Sequence, residues 1–325
     1  MRKLVGLLAA ICLAATVGCS GSTDSSQAKN AGGPDKVVLV LNWYPEAEHG
    51  GYYAALVHGY YEDVGLDVEI QPGGPGTRVV AEVATARADF GVANADKILT
   101  GCAQGAEVVA LMAPIQDSPR CIMVHEEAGI ETLADLKDVT LSMSTGQPFA
   151  RYLKANTKLP GVDVVPFNGG VTEFLRSKRH AQQAYSFSEP FTAREQNAKP
   201  KCLMLSSIGF NPYTSVLVGQ GGSASNDDIT KKFVEASIRG WKKYLVDPAE
   251  THKHINSINP QMSPEVLEFG VGAVKPLCGS DNVEMGSMGR QRWQTLAKQL
   301  QDLGVVKPGE VDLTKVLPST TILTD

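Results

Sequence analysis

Short apolar segments alternate with amphipathic segments of helix length from Val37 onward. The first series includes KVVLVLNW, GYYAALVHGYYEDVG, LDVEI and ADFGVA. Such alternation is typical of an α/β protein, with a parallel sheet covered by helices on both faces. A second series begins with CIMV after a Pro-containing turn near Ser118, and the chain becomes largely helical after residue 219. The pattern therefore predicts two α/β units in one chain.

A chain that leaves one α/β unit, builds another and then returns forms two lobes joined by two crossings. We expect these hinge crossings near Pro119–Val124 and Tyr213–Gly219. The predicted organisation places residues 36–118 and 220–325 in lobe I and residues 119–219 in lobe II. Ligands bind outside the carboxyl ends of strands in such sheets, so two facing lobes would enclose a site between them.

The N-terminus is typical of an export signal. Arg2 and Lys3 precede an apolar run, Leu4–Val17, that is too short to span a bilayer core of about 30 Å. We therefore interpret residues 1–18 as a signal peptide.

The run ends in a small residue followed by Cys19, which resembles the bacterial lipobox and predicts a lipid anchor at that cysteine. Thr16 stands where lipoboxes usually carry Leu, which leaves ordinary signal-peptide cleavage as the alternative. Residues 19–35 are small, polar and glycine-rich, a composition typical of a flexible tether. These features predict an exported lipoprotein held at the membrane by its N-terminal lipid.

Charge and cysteine usage narrow the possible partners. The chain has 30 Lys and Arg against 35 Asp and Glu, with no basic run, so a nucleic-acid partner is not indicated. No spacing of Cys or His predicts a metal, and no second cluster completes a site around Glu46, Glu48 and His49. Four cysteines remain after the predicted anchor, either as buried thiols or as up to two disulfides of undetermined pairing: Cys102, Cys121, Cys202 and Cys278.

The first predicted strand ends in polar and aromatic residues that fit a planar ligand. Asn42, Trp43 and Tyr44 offer a stacking face together with hydrogen-bonding groups. Alternatively, Trp43 packs into the interior of the lobe and does not contact a ligand. His49 precedes a helix, where it would bond either to a ligand or to the local backbone. We predict a ligand-contacting role for all four residues.

Three further strand-to-helix junctions carry predicted ligand contacts: Asn94, Asp96, Ser144, Thr145, Gly146 and Glu189. Asn94 or Asp96 would equally serve as a helix cap. The small-residue turn at 144–146 would present free backbone N–H groups to an electron-rich acceptor, or simply begin a helix. Glu189 would accept hydrogen bonds from ligand amino groups, or only complement a helix dipole. The chain has neither a Walker loop nor a GxSxG elbow, so we predict a binder without catalytic residues or cofactor.

Three segments together resemble the SsuA/THI5-like (NMT1) family: LNWYPEAEHGGYYAALVHGYYEDVGLDVEI, ADFGVANADKIL and AYSFSEPF. The resemblance covers about Val37–Val246. It implies the type II periplasmic-binding-protein fold and a solute-binding protein that delivers a small molecule to an ABC permease and its ATPase subunit. Family members serve importers for thiamine-pyrimidine precursors, sulfonates and riboflavin, and a non-transport sensor is a further alternative.

The Asn-Trp-Tyr-Pro run is most similar to the pyrimidine-precursor binders. That similarity implies stacking by Trp43 and Tyr44 and an amino-group contact by Glu189. One family branch is an enzyme, the eukaryotic hydroxymethylpyrimidine phosphate synthase. This chain has Ala93 and Lys97 where that enzyme has its lysine and histidine, and it lacks the enzyme's cysteine cluster. We therefore predict that it is not an enzyme.

Overall fold

The computed structural model describes residues 33–222, 228–279, 283–318, 321 and 323–324. The predicted signal peptide, the predicted lipid anchor Cys19 and most of the predicted tether lie outside these residues. Across the described part of the chain, no helix is both long and apolar enough to cross a membrane.

The described residues form two five-stranded sheets surrounded by helices. The strands are β1 (Asp35–Val40), β2 (Leu66–Gln71), β3 (Phe90–Ala93), β4 (Val108–Met112), β5 (Arg120–His125), β6 (Thr140–Ser142), β7 (Asp163–Val165), β8 (His180–Tyr185), β9 (Pro200–Met204) and β10 (Val216–Gln220). The helices are α1 (Gly50–Val57), α2 (Val79–Ala84), α3 (Ala95–Ala103), α4 (Pro148–Asn156), α5 (Thr172–Arg176), α6 (Glu189–Glu195), α7 (Asp228–Tyr244), α8 (Ala249–Ile258), α9 (Pro264–Val274), α10 (Arg290–Asp302) and α11 (Leu313–Val316).

Both sheets are mixed, whereas the sequence pattern predicted parallel ones. The first has the strand order β2-β1-β3-β10-β4, and β10 runs antiparallel to both of its neighbours. The second has the order β7-β6-β8-β5-β9, and β5 runs antiparallel to both of its neighbours. Each reversed strand is the one that directly follows a passage between the sheets. Apolar periodicity reports burial and not strand direction, so it does not reveal this reversal.

The chain passes from the first sheet to the second between β4 and β5 and returns between β9 and β10. Each of the two segments predicted as crossings overlaps a strand, the first with β5 and the second with β10. The stretch from Val216 already pairs with β3 and β4, so the return precedes Val216 and lies before the boundary placed at Gly219 from sequence. Ser215, next to this strand, has a positive φ of 54°. The polypeptide therefore turns sharply where it re-enters the first sheet.

Two glycines set how α1 packs beside the first sheet. A Cβ atom on Gly51 would lie 2.1 Å from the Trp241 ring, and one on Gly240 would lie 2.2 Å from the Gly51 carbonyl oxygen. Neither position has room for a side chain larger than the hydrogen atom of glycine. The backbones of α1 and α7 are therefore in direct contact. The fully buried Trp241 ring fills the space beside them. This packing fixes the start of α1 and the loop that leads into it from β1.

Candidate ligand-binding site

A cavity of about 1160 Å³ is lined by residues from both sheets. From the elements around the first sheet come Asn42, Trp43, Glu46, Glu48, Asn94 and Lys97. From the elements around the second come Arg120, Ser144, Gln147, Phe149, Phe167, Gln183, Tyr185, Ser188 and Glu189. The cavity also extends along α2 and α3, past Val80, Ala84, Thr100 and Gln104.

The strand ends place these groups. Asn42 and Asn94 follow the parallel strands β1 and β3, and Tyr185 ends β8. This agrees with the rule that ligands bind at the carboxyl ends of parallel strands. Arg120 lies at the same edge although it begins its strand. Because β5 runs antiparallel to β8, the first residue of β5 pairs with Tyr185, the last residue of β8.

Arg120 lies against two aromatic rings. Its guanidinium carbon lies 3.9 Å from the Tyr185 ring centroid and 4.8 Å from that of Phe149. Cation–π contacts of this kind hold a guanidinium in place while its remaining N–H groups stay available. The cavity wall formed by the second sheet thus presents flat faces together with a positive charge.

Three carboxyl groups face this arrangement. Glu46 is only 7% exposed, and burial raises its pKa well above the usual range, with the charges of Glu48 and Glu189 raising it further. Burial also raises the pKa of Glu189, although the Tyr185 backbone N–H, which donates to Glu189 Oε2 at 2.8 Å, opposes that rise. The acid cluster therefore favours a ligand that brings positive charge or N–H donors into the cavity.

Five of the residues predicted from sequence line the cavity: Asn42, Trp43, Asn94, Ser144 and Glu189. Asn94 makes no side-chain cap for α3; instead its Nδ2 donates to the Tyr185 hydroxyl at 2.8 Å. The sequence predicted a free backbone N–H at Ser144. In the structure this N–H donates to Gln183 Oε1 at 2.7 Å, so that prediction was wrong. Trp43 is 42% exposed and therefore presents ring surface rather than plugging a core.

The other five predicted contacts do not line the cavity. Tyr44 packs edge-on against Trp43 with ring centroids 5.4 Å apart and is 49% exposed. Thr145 and Gly146 are exposed beside the cavity lining. Asp96 is buried at the start of α3, where burial raises the pKa of its carboxyl.

His49 positions its neighbours. The imidazole is fully buried, and its Nε2 lies 2.8 Å from Asn42 Oδ1 and 3.2 Å from Glu48 Oε1. Asn42 in turn donates through Nδ2 to Glu48 Oε1 at 3.2 Å. The network therefore orients the cavity-lining Asn42 and Glu48 from behind.

Sequence reasoning missed several lining residues, among them Arg120, Gln147, Phe149, Gln183 and Tyr185. Arg120 fell within a predicted crossing, and a signal for Tyr185 was present because it directly precedes Ser186-Phe187-Ser188-Glu189. Gln147 accepts a hydrogen bond from Lys97, which connects α3 to the start of α4. The described residues contain no group of three or more His, Cys, Asp or Glu side chains suited to a metal ion.

Two mixed five-stranded sheets joined by two crossings define a periplasmic-binding-protein fold. The chain belongs to the NMT1/THI5-like family, whose family model matches residues 46–251, more than half of its length. Among solved structures, the periplasmic aliphatic sulphonate binding protein SsuA from Escherichia coli aligns with a TM-score of 0.67. That alignment covers 90% of this chain and 94% of SsuA at 14% identity.

The same fold also occurs in an enzyme. The desulfurization enzyme DszB aligns with a TM-score of 0.59 over 88% of this chain and 97% of its own, at 13% identity. At such low identity, structural likeness establishes the fold and leaves ligand and activity to the site.

Two curated relatives carry names that describe a ligand. The riboflavin-binding protein RibY from Chloroflexus aurantiacus is 23% identical over 224 residues, 66% of this chain and 64% of RibY. The formylaminopyrimidine-binding protein from Halalkalibacterium halodurans is 25% identical over 140 residues, 43% of this chain and 40% of the relative. The chain thus spans less than two thirds of the length of either relative.

Proposed function

We propose that this protein is an extracytoplasmic solute-binding protein of an ABC importer. It captures a small planar nutrient bearing amino groups between its two lobes and delivers it to the permease. The observation that carries this proposal is that one cavity combines the Trp43 ring, the Arg120–Tyr185 stack and the Glu189 carboxylate.

A thiamine-precursor-type pyrimidine is the ligand class that we favour. An aromatic heterocycle stacks on the exposed Trp43 ring. Its exocyclic amino group donates to Glu189, and the neighbouring Glu46 and Glu48 strengthen the preference for an N–H donor over an acceptor. The relative named as a formylaminopyrimidine-binding protein supports this assignment.

Riboflavin is the second candidate, and cavity size favours it. Pockets for small ligands usually measure about 300–1,000 Å³, whereas this cavity reaches about 1160 Å³ and continues along α2 and α3. A tricyclic ring with a polyhydroxyl chain would occupy more of that space than a single pyrimidine. A sulfonate is disfavoured because its anionic head would lie close to the clustered carboxyl groups of Glu46, Glu48 and Glu189.

Export and membrane attachment complete the proposal. The signal peptide at 1–18 and a lipid on Cys19 would place the binding domain outside the cytoplasmic membrane, with the tether at 19–35 allowing it to reach the permease. A sensor lipoprotein would use the same cavity without passing its ligand on. Uptake of labelled ligand by cells with and without the gene separates transport from sensing.

Thermal unfolding of the purified protein against a ligand panel tests the binding assignment. The panel contains aminopyrimidines, thiamine, riboflavin, an alkanesulfonate and nitrate. A ligand at about 100 times its Kd adds about 2.7 kcal/mol to the free energy of unfolding, which raises the Tm by several degrees. A shift with aminopyrimidines alone supports the pyrimidine assignment, and a shift with riboflavin alone supports the second candidate. If the alkanesulfonate is the one compound that raises the Tm, both assignments are contradicted.

Recovery of the bound compound tests the expectation that the protein is not an enzyme. The protein is incubated with whichever panel member raises the Tm, and the compound is then recovered and analysed by mass spectrometry. Binding alone returns the compound unchanged, whereas a time-dependent product contradicts the proposal.

A further inference from the structure

The Sγ atoms of Cys121 and Cys202 lie 2.8 Å apart. Nonbonded carbon atoms, which are smaller than sulfur, settle at about 3.5–4.0 Å, whereas a disulfide holds its sulfurs about 2.0 Å apart. The two sulfurs are therefore closer than an ordinary packing contact. They come from two adjacent strands, β5 and β9.

The strand register holds this pair together. Cys121 pairs with Met204 and Cys202 with Met123 in the antiparallel β5–β9 ladder, so the two cysteines are diagonal neighbours on one face of the sheet. They lie in an apolar cluster with Phe174 that α5 and α6 help to form. The strand register therefore brings the two cysteines to one face of the sheet, and the apolar cluster surrounds them there.

From this contact we infer that Cys121 and Cys202 form an intramolecular disulfide when the protein meets a disulfide-exchange oxidant. This inference concerns covalent chemistry behind the cavity and goes beyond the proposed binding function. It also selects one pairing among those that four cysteines allow. All four described cysteines are free thiols in this structure, and Cys102 and Cys278 pack in two different hydrophobic clusters away from the pair.

Accessibility orders the reaction. Cys202 is half-buried, whereas Cys121 is fully buried and its pKa is raised well above the usual range, chiefly by that burial. Because Cys202 is the more accessible of the two, its thiolate is the one that attacks the disulfide of the exchange partner, which releases one thiol and leaves a mixed disulfide. Cys121 then loses its proton and displaces the second thiol. The two cysteines together lose two electrons, and the partner disulfide is reduced to two thiols.

The most direct alternative role for two adjacent thiols is metal binding. A thiolate pair usually needs further Cys or His ligands to complete a tetrahedral site. The described residues contain no cluster of three or more metal-ligating side chains, so oxidation is the chemistry that this pair supports.

Peptide mapping tests the inference without any mutation. Trypsin cleaves after Arg120 and Lys201, so Cys121 and Cys202 begin the separate peptides 121–137 and 202–231. Cys102 and Cys278 fall in two other peptides, 98–120 and 254–290. The full chain is equilibrated with oxidised glutathione, alkylated and digested without reductant. We expect a linked 121–137/202–231 species that dithiothreitol separates.

Alkylation of both cysteines after oxidation would overturn the inference, as would a link from either one to Cys102 or Cys278. A second measurement compares the Tm of oxidised and reduced protein. Because the bond would close a long loop, the oxidised wild type should melt several degrees higher. Cys202→Ala should abolish that difference, whereas the control Cys102→Ala should retain it.

Discussion

Asn94 and Tyr185 join the two sheets across the cavity, with Asn94 Nδ2 donating to the Tyr185 hydroxyl at 2.8 Å. Asn94 follows β3 of the first sheet, and Tyr185 ends β8 of the second. Asn94 Oδ1 also accepts the Ser215 backbone N–H at 3.4 Å, beside the strand that returns to the first sheet. One side chain therefore connects both sheets with the region of the return crossing.

Tyr185→Phe should lower both stability and ligand affinity. The variant leaves Asn94 Nδ2 without its partner, a loss of about 1–3 kcal/mol in the free energy of unfolding. Affinity should fall several-fold, because the bond stabilises the arrangement in which the sheets enclose the ligand. Urea unfolding and calorimetric titration measure the two effects. As control, Tyr152→Phe removes a hydroxyl that donates to the Ile208 carbonyl away from the cavity. Equal affinity for the two variants would contradict the prediction.

Trp43→Ala should weaken ligand binding more than tenfold, since it removes the exposed stacking face that lines the cavity. A tenfold loss corresponds to about 1.4 kcal/mol of binding free energy. Tyr44→Ala provides the matched control, because Tyr44 contacts Trp43 without lining the cavity. Titration of both variants with the ligand identified by thermal shift measures the difference. Unchanged affinity in Trp43→Ala would remove this ring from the site.

Glu46→Gln should flatten the pH dependence of stability. The raised pKa of Glu46 means that the folded state binds a proton at pH values where the unfolded chain has released it. The free energy of unfolding therefore decreases as pH rises above about 4.5. The stabilisation from the protonated Glu46 is fully lost once pH passes the folded-state pKa. The variant should lose less stability than the wild type between about pH 5 and 8. Urea unfolding across that range measures both slopes.

The matched control is Glu127→Gln. Hydrogen bonds lower the pKa of this exposed carboxyl, so it is ionised in both the folded and unfolded states across the same range. The control should keep the wild-type slope. If Glu46→Gln also keeps it, the Glu46 carboxyl does not take up a proton as described. Glu189 and Asp96 also have raised pKa values, so the slope should shrink without vanishing.

Gly51→Ala should destabilise the fold strongly, because the added Cβ would lie 2.1 Å from the Trp241 ring. Overpacking usually costs about 1–3 kcal/mol, and the fully buried Trp241 leaves little room to adjust. The control Gly272→Ala adds a Cβ in open space on α9 and should raise stability by up to about 1 kcal/mol. Urea unfolding distinguishes the two, and equal stability of Gly51→Ala and wild type would refute the close approach of α1 and α7.

Sequence alone identified the alternating α/β pattern, the two units and several strand-end loops that line the cavity. Asn42, Trp43, Asn94, Ser144 and Glu189 line the cavity because each lies within a few residues of the carboxyl end of a strand, where the chain emerges at the sheet edge, and their contact with a ligand stays a prediction. Sequence was less reliable in predicting which polar residues of each loop face the cavity. His49 and Asp96 are as polar as the residues that line the cavity, but they point into the protein and are buried.

Only the tertiary structure determined strand direction and the contacts that depend on it. The reversal of β5 brings Arg120 beside Tyr185 at the cavity and places Cys121 beside Cys202. Residues far apart in sequence meet through these pairings, and local apolar periodicity contains no information about which strands become neighbours. The sequence determined where strands end, because burial is a local pattern. The fold determined which ends meet, because strand pairing is a long-range choice.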